Sequence, residues 1–362
     1  MEQRANGKTI ILSTHLLDMI ENICDFYVMI DSGKLLRQGM LNEILNNDKC
    51  STLEELYLYL AKTDKDDFSK EEIEYMLKVG AEIKRMQKQG IPHPCLAGKT
   101  LGMIFQKSST RTRIAFEVGM YQLGGHALFL SPRDIQIGRG ETIKDIALVL
   151  SRMLDGIMIR TFDHDEVLEL AHWASIPIIN GLTDLLHPTQ VIGDLMTIKE
   201  HKGELKGLKL AFIGDGNNVA HSLLFGGAKV GMDVVIASPG GFEPDAKILA
   251  VAQKDATETG ATLAVVKDPE EAAADADVIY TDVWASMGQE DQAPEKEQQF
   301  LAYQVNSRLM SLAKKDAIVL HCLPAKRDKE ITDEVMDGPQ SVVFDEAENR
   351  LHAHKAIMAL TM

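Results

Sequence analysis

The residues best suited to chemistry begin with Lys107-Ser108-Ser109-Thr110-Arg111-Thr112-Arg113. An apolar run, 101–105, precedes them and reads as a buried strand; 114–118 reads as the start of a helix. A helix N-terminus presents unpaired N–H groups and the positive end of the peptide dipole, so it suits a phosphate. Hydroxyls and two arginines stand at that same point, and arginine offers phosphate a planar, two-pronged hydrogen bonding that lysine cannot. A Ser/Thr cap with two solvated arginines is the plainer reading of this segment alone. Further reactive types follow it: Arg160 after 156–159, His187-Pro188-Thr189-Gln190, Asp215-Gly216-Asn217-Asn218, Asp282 with Ser286-Met287-Gly288, and His321-Cys322-Leu323-Pro324.

These residues need a scaffold, and the hydrophobic pattern supplies one. Ser69-Lys70-Glu71-Glu72 is a capping box, and Ile73, Met76, Leu77, Gly80 and Ile83 give the next helix one apolar face. Strand-like runs at 101–105, 127–130, 156–159 and 176–179 alternate with helical stretches at 141–154, 165–174 and 191–199. A second series has strands at 210–213, 234–236, 263–266, 278–280 and 317–320. Such alternation predicts an α/β chain with two doubly wound parallel-sheet domains. Their expected limits are 63–200, completed by a C-terminal helix at 346–362, and 201–345. In doubly wound sheets, ligands sit beyond the carboxyl ends of strands. Ser109, Arg160, His187, Asn218, Asp282 and Cys322 all fall at such ends.

Composition narrows the partners. The 362 residues carry a net charge of −16, which disfavours nucleic acid and anionic membranes. No apolar run approaches the ~20 residues that span a bilayer, and no signal peptide is visible. Cys24, Cys50, Cys95 and Cys322 are scattered without a C-x-x-C pair, so neither a zinc site nor a disulfide framework is expected. A reducing cytoplasm is the expected compartment. Gly214-x-Gly216 has no third glycine in register, so no dinucleotide cofactor is expected.

Residues 1–62 read as foreign to the rest. A strand-like run at 9–12 ends in Ser13-Thr14-His15; a hairpin carries Asp31-Ser32-Gly33-Lys34; and Gly39 is followed by Glu43-Ile44. This short α/β fragment resembles the C-terminal end of an ABC-transporter ATPase domain. The resemblance implies a histidine at His15 that contacts the γ-phosphate of ATP, but everything upstream is missing. Gly7-Lys8-Thr9 and Gly98-Lys99-Thr100 echo a phosphate loop, yet the glycine needed five residues earlier is Glu2 in one and His93 in the other. The fragment is expected to be without ATPase activity.

From about Asp67 to Met362, the motifs at 109–113, 187–190, 215–218, 282–288 and 321–324, in that order, resemble the aspartate/ornithine carbamoyltransferase family, and its ornithine carbamoyltransferases in particular. The resemblance implies transfer of a carbamoyl group from carbamoyl phosphate to L-ornithine, with no metal and no cofactor. It implies that Ser109, Thr110, Arg111 and Thr112 hold the phosphate, and that Arg160, His187 and Gln190 bind the carbamoyl end. Leu323 and Arg350 join the carbamoyl-phosphate set. Asn218, Asp282, Ser286 and Met287 would grip the amino acid, with Cys322 close to the attacking amine. Gln136 would reach carbamoyl phosphate in a neighbouring subunit, implying a homotrimer or a multiple of trimers. Leu148 stands where an arginine is expected, which removes an ion pair worth ~0–1 kcal/mol.

The nucleophile must be a neutral amine. With a lysine-like pKa, neutralising it at pH 7 costs about 4.6 kcal/mol, which burial and a nearby proton acceptor must offset. Two rivals remain at this stage: a carbamoyltransferase with a diamine acceptor such as putrescine, and a non-enzymatic, transporter-associated nucleotide-binding protein. A diamine site has no need of carboxylate-binding groups at Asn218 and at 286–288. Whether the reaction serves arginine synthesis or arginine breakdown is not legible.

Overall fold

A computed structural model describes residues 26–31, 34–40, 43, 68–131, 133, 135, 140–285 and 293–362. The chain divides into two compact units, Met1–Ser69 and Lys70–Met362. In the first, β1 (Phe26–Asp31) and β2 (Lys34–Met40) form an antiparallel hairpin, with Phe26 opposite Met40 and Asp31 opposite Lys34. This is the hairpin expected around Asp31 and Lys34. His15 lies outside the described residues.

The second unit holds two parallel sheets. After α1 (Lys70–Lys88), the first contains β3 (Thr100–Phe105), β4 (His126–Leu130), β5 (Gly156–Arg160) and β6 (Ile178–Leu182) in the order β4-β3-β5-β6. Its helices are α2 (Thr110–Gln122), α3 (Ile143–Leu150), α4 (His164–Trp173) and α5 (Pro188–Lys202). Strand β5 is buried along its length, as a central strand covered on both faces must be. The expected strand at 176–179 instead begins at Ile178. Pro177 has no N–H for a ladder and contributes only its carbonyl, which accepts from the Ile157 N–H at 2.9 Å.

The second sheet runs β11-β10-β7-β8-β9. Its strands are β7 (Lys209–Ile213), β8 (Asp233–Ala237), β9 (Leu263–Val266), β10 (Val278–Thr281) and β11 (Ile318–His321). Helices α6 (Asn218–Val230), α7 (Ala246–Thr259), α8 (Pro269–Ala273), α9 (Ala293–Phe300), α10 (Ser307–Met310) and α11 (Asp333–Met336) accompany it. The last helix, α12 (Val343–Thr361), packs on α5, α1 and α2 of the first sheet's layer. One apolar core runs from Met76 and Phe116 through Leu195 to Phe212 and Leu224, so the two sheets share buried side chains rather than hanging on a linker. Among the described residues, no helix is long and apolar enough to cross a membrane.

Gly214 and Gly216 have a structural reason. The Gly216 N–H donates to the Phe242 carbonyl at 2.8 Å, and a Cβ on Gly216 would stand 2.3 Å from the Pro244 nitrogen. The Gly-x-Gly turn is thus made by close backbone approach, with no nucleotide required.

Candidate active site

The strand ends of both sheets open on one cleft of about 1320 Å³. On the first sheet's side, β3 and β5 pair up to Phe105 and Arg160, and the Arg160 carbonyl accepts from the N–H groups of Gln106 and Lys107. That closure aims α2 into the cleft. Ser109 caps it in extended conformation, its hydroxyl accepting from the Thr112 N–H at 3.2 Å. Thr110 forms the first turn beside it and lines the cleft. The side chain of Lys107, almost wholly buried, pairs with Asp184 and lies 4.5 Å above the Phe162 ring.

Three guanidinium groups converge on this helix end. Arg350, from α12, donates to the Thr112 hydroxyl at 2.6 Å; Arg160 approaches the same oxygen at 3.5 Å; and Arg111 donates to the Leu323 carbonyl at 2.6 Å. Burial lowers Arg160 to about 9, and the positive charges of Arg350 and Arg111 add to that. Three like charges at one point are costly unless an anion joins them. The Nε atoms of all three are buried without a hydrogen-bond partner among the described residues.

His187 stands at the start of α5 with Pro188 in the helix's first position. Its N–H donates to the Ser222 hydroxyl of α6 at 2.7 Å, so the second sheet's first helix holds the first sheet's loop. Asn218 donates to the Thr183 carbonyl at 2.6 Å, and His221 bonds the Leu185 carbonyl at 2.9 Å, fastening the same loop. Burial and the nearby arginines keep the His187 ring well below its ordinary pKa, hence neutral, with Nδ1 unpartnered. Gln190 faces the cleft one turn further along.

The opposite wall carries Asp282 and Cys322 at the ends of β10 and β11. The Cys322 thiol donates to Asp282 at 3.1 Å, and the other Asp282 oxygen accepts from Asn217 at 2.8 Å. Asn217, and not Asn218, caps α6, accepting from the Val219 and Ala220 N–H groups. Asn218 is left with one amide hydrogen to spare for a ligand. Lys296 reaches from α9 to Asp215 at 2.7 Å on this wall; sequence reasoning passed over that pair because its spacing spans a loop and a helix. Leu323 has φ 56, a left-handed backbone unusual for a branched side chain and a mark of a constrained site. Gln136, Ser286 and Met287 lie outside the described residues.

Asp282, His321 and Cys322 bring potential metal ligands within 4.8 Å of one another. The imidazole is already committed: Nδ1 accepts from the Leu323 N–H at 2.9 Å, and Nε2 contacts Glu330 at 3.1 Å. Burial and the acids around Cys322 push its thiol well above the ordinary range. It therefore acts as a donor that orients Asp282, not as a thiolate. A direct check is alkylation at pH 8: the exposed Cys95 is expected to react readily and Cys322 at a small fraction of its rate. Faster labelling of Cys322 would contradict a protonated thiol.

A cationic helix end faces an acid–thiol pair across a cleft between two doubly wound sheets, an arrangement able to hold an anion on one side and an amine on the other. The family models agree. Residues 63–200 match the carbamoyl-phosphate-binding domain of aspartate/ornithine carbamoyltransferases, and residues 206–361 match their aspartate/ornithine-binding domain. The chain belongs to the aspartate/ornithine carbamoyltransferase family. A curated relative from Carboxydothermus hydrogenoformans, named ornithine carbamoyltransferase, is 59% identical over 297 residues, 82% of this chain and 96% of the relative. The solved ornithine carbamoyltransferase from Pyrococcus furiosus matches with a TM-score of 0.80 and 55% identity, over 82% of this chain and 94% of that one. The anabolic enzyme of Campylobacter jejuni matches with a TM-score of 0.77 at 43% identity, over 82% and 96%.

Proposed function

We propose that this chain transfers the carbamoyl group of carbamoyl phosphate to the δ-amine of L-ornithine, giving L-citrulline and phosphate. The observation that carries the reading is the placement of three arginines at the α2 N-terminus, Arg160 and Arg350 buried and Arg111 half-buried, opposite Asp282 and Cys322 in one cleft. Ser109, Thr110, Arg111 and Thr112 at the helix end take the phosphate. Arg160, neutral His187 and Thr112 polarise the carbonyl oxygen as the amine attacks its carbon. The C–O bond to phosphate then breaks, and the amine proton ends on the departing phosphate. Asp282 accepts from the ornithine ammonium, while Asn218, with Ser286 and Met287, takes the carboxylate.

The assembly we infer is a trimer, with Gln136 serving the neighbour's site. Ile114, Val118 and Tyr121 support it: they form one exposed apolar stripe on α2, beside exposed Leu128 and Phe129 on the edge strand β4. Free thiols at Cys95 and Cys322 suit a cytoplasmic protein. Expected results are citrulline as product, a mass three times that of the chain or a multiple of it, and no change in rate when residues 1–62 are removed. In direct competition, ornithine is expected to outrun putrescine; faster turnover of putrescine would overturn the acceptor assignment.

A further inference from the structure

Behind the carbamoyl end of the cleft, four elements meet at two buried acids. Asp194 lies one turn after Gln190 on α5, and Glu346 one turn before Arg350 on α12; their side chains are 0% and 1% exposed. The Gln190 amide nitrogen donates to Asp194 Oδ1 at 2.8 Å and to Glu346 Oε1 at 3.0 Å. The Tyr280 hydroxyl lies 3.3 Å from Asp194 Oδ2 and 3.2 Å from Glu346 Oε1. The His321 N–H donates to Glu346 Oε2 at 2.8 Å.

Tyr280 has one hydrogen and two carboxyl neighbours, so both contacts are hydrogen bonds only if one acid carries a proton. The Gln190 amide is fixed as well. Turned over, its oxygen would face two acid oxygens at hydrogen-bond distance. As placed, both N–H groups are spent on the acids, and Oε1 has no partner among the described residues.

We propose that Asp194 and Glu346 hold one proton between them and act as the positioning pair that locks the Gln190 amide, its oxygen turned toward the carbamoyl nitrogen. This rests on the carbamoyl-phosphate reading of the cleft. Burial raises Asp194 to about 7, and burial together with repulsion from Asp194 pushes Glu346 well above the usual carboxylate range, as expected of two acids sharing a dry site. The remaining negative charge faces Arg350 on the cleft side. Tyr280 stands two residues before Asp282, and His321 one before Cys322, so the pair also ties the amine wall to the carbamoyl wall.

The test compares three variants of the full chain by steady-state kinetics, with melting temperatures recorded. Gln190→Ala is expected to raise KM for carbamoyl phosphate about tenfold, a loss of the size of one good hydrogen bond. Asp194→Ala should raise it similarly while leaving KM for ornithine within about threefold. Asp194→Asn should recover most of that loss, because its amide can accept from Gln190 and donate toward Tyr280 as a protonated acid does. In infrared difference spectra of the parent against Asp194→Asn, a carboxylic-acid stretch should appear for the parent alone. Equal damage by Asn and Ala, or no such band, would overturn the shared proton. If Asp194→Ala does not fold, Tyr280→Phe stands in. It should raise KM for carbamoyl phosphate, and an unchanged KM would overturn the positioning role. An unchanged KM in Gln190→Ala would instead refute the carbamoyl-phosphate reading itself.

Discussion

Replacing Arg160 by alanine is expected to lower kcat about 10²–10³-fold, with a much smaller rise in KM for either substrate. Its guanidinium is buried, held at the end of a central strand and aimed at the point where Thr112 and Arg350 meet. The partner Arg160 serves is an oxygen whose negative charge grows only as the amine adds to the carbon. An interaction that strengthens in the transition state shows up in kcat. Such a group works best when it is already in place and already dry. Burial and the two neighbouring cations lower Arg160 to about 9, which leaves it charged at neutral pH yet poised for a counter-charge. Stopped-time citrulline assays measure the effect. A kcat within about threefold of the parent would take Arg160 out of the reaction.

Arg111→Ala should act on binding instead. Losing a buried, two-pronged phosphate contact costs on the order of 2–5 kcal/mol, so carbamoyl-phosphate affinity should fall at least about 30-fold. The unliganded protein should behave differently. Arg111, Arg160 and Arg350 repel one another before the anion arrives, and removing one relieves that repulsion at the loss of the bond to the Leu323 carbonyl. The melting temperature without ligand should therefore hold steady or rise. The stabilisation by carbamoyl phosphate, which in the parent amounts to about 2.7 kcal/mol at a hundred times Kd, should largely vanish. Differential scanning calorimetry with and without ligand reads both. A lowered melting temperature with the ligand shift intact would make Arg111 a structural residue.

Much of the scaffold was legible because parallel strands buried on both faces read as continuous apolar runs. The runs at 101–105, 210–213 and 317–320 became β3, β7 and β11 within a residue of their expected ends. The anion site was legible because hydroxyls and arginines followed such a strand directly. What escaped was whatever depends on how the elements pack. Asn217 and Asn218 are adjacent and alike, and only the helix geometry decides that the first caps while the second reaches Thr183. Asp194 and Glu346 sit on helices where acids are usually solvated. Their burial follows from the second sheet closing over α5 and α12, which leaves α5 buried from Thr189 to Ile198 with no polar face at all. The buried His354 stacked on Phe116, and Lys355 inside a ring of Gln87, His93 and Gln122, escaped for the same reason.

The most direct measurement follows carbonyl-labelled carbamoyl phosphate by carbon NMR with ornithine and the full chain present. The label is expected to move into the ureido carbon of citrulline, with one phosphate released per citrulline formed. Arg160→Ala should show the same products at a rate lower by about 10²–10³-fold. Phosphate released without labelled citrulline would contradict the assignment of this cleft, as would label passing to putrescine in preference to ornithine when both amines are supplied together.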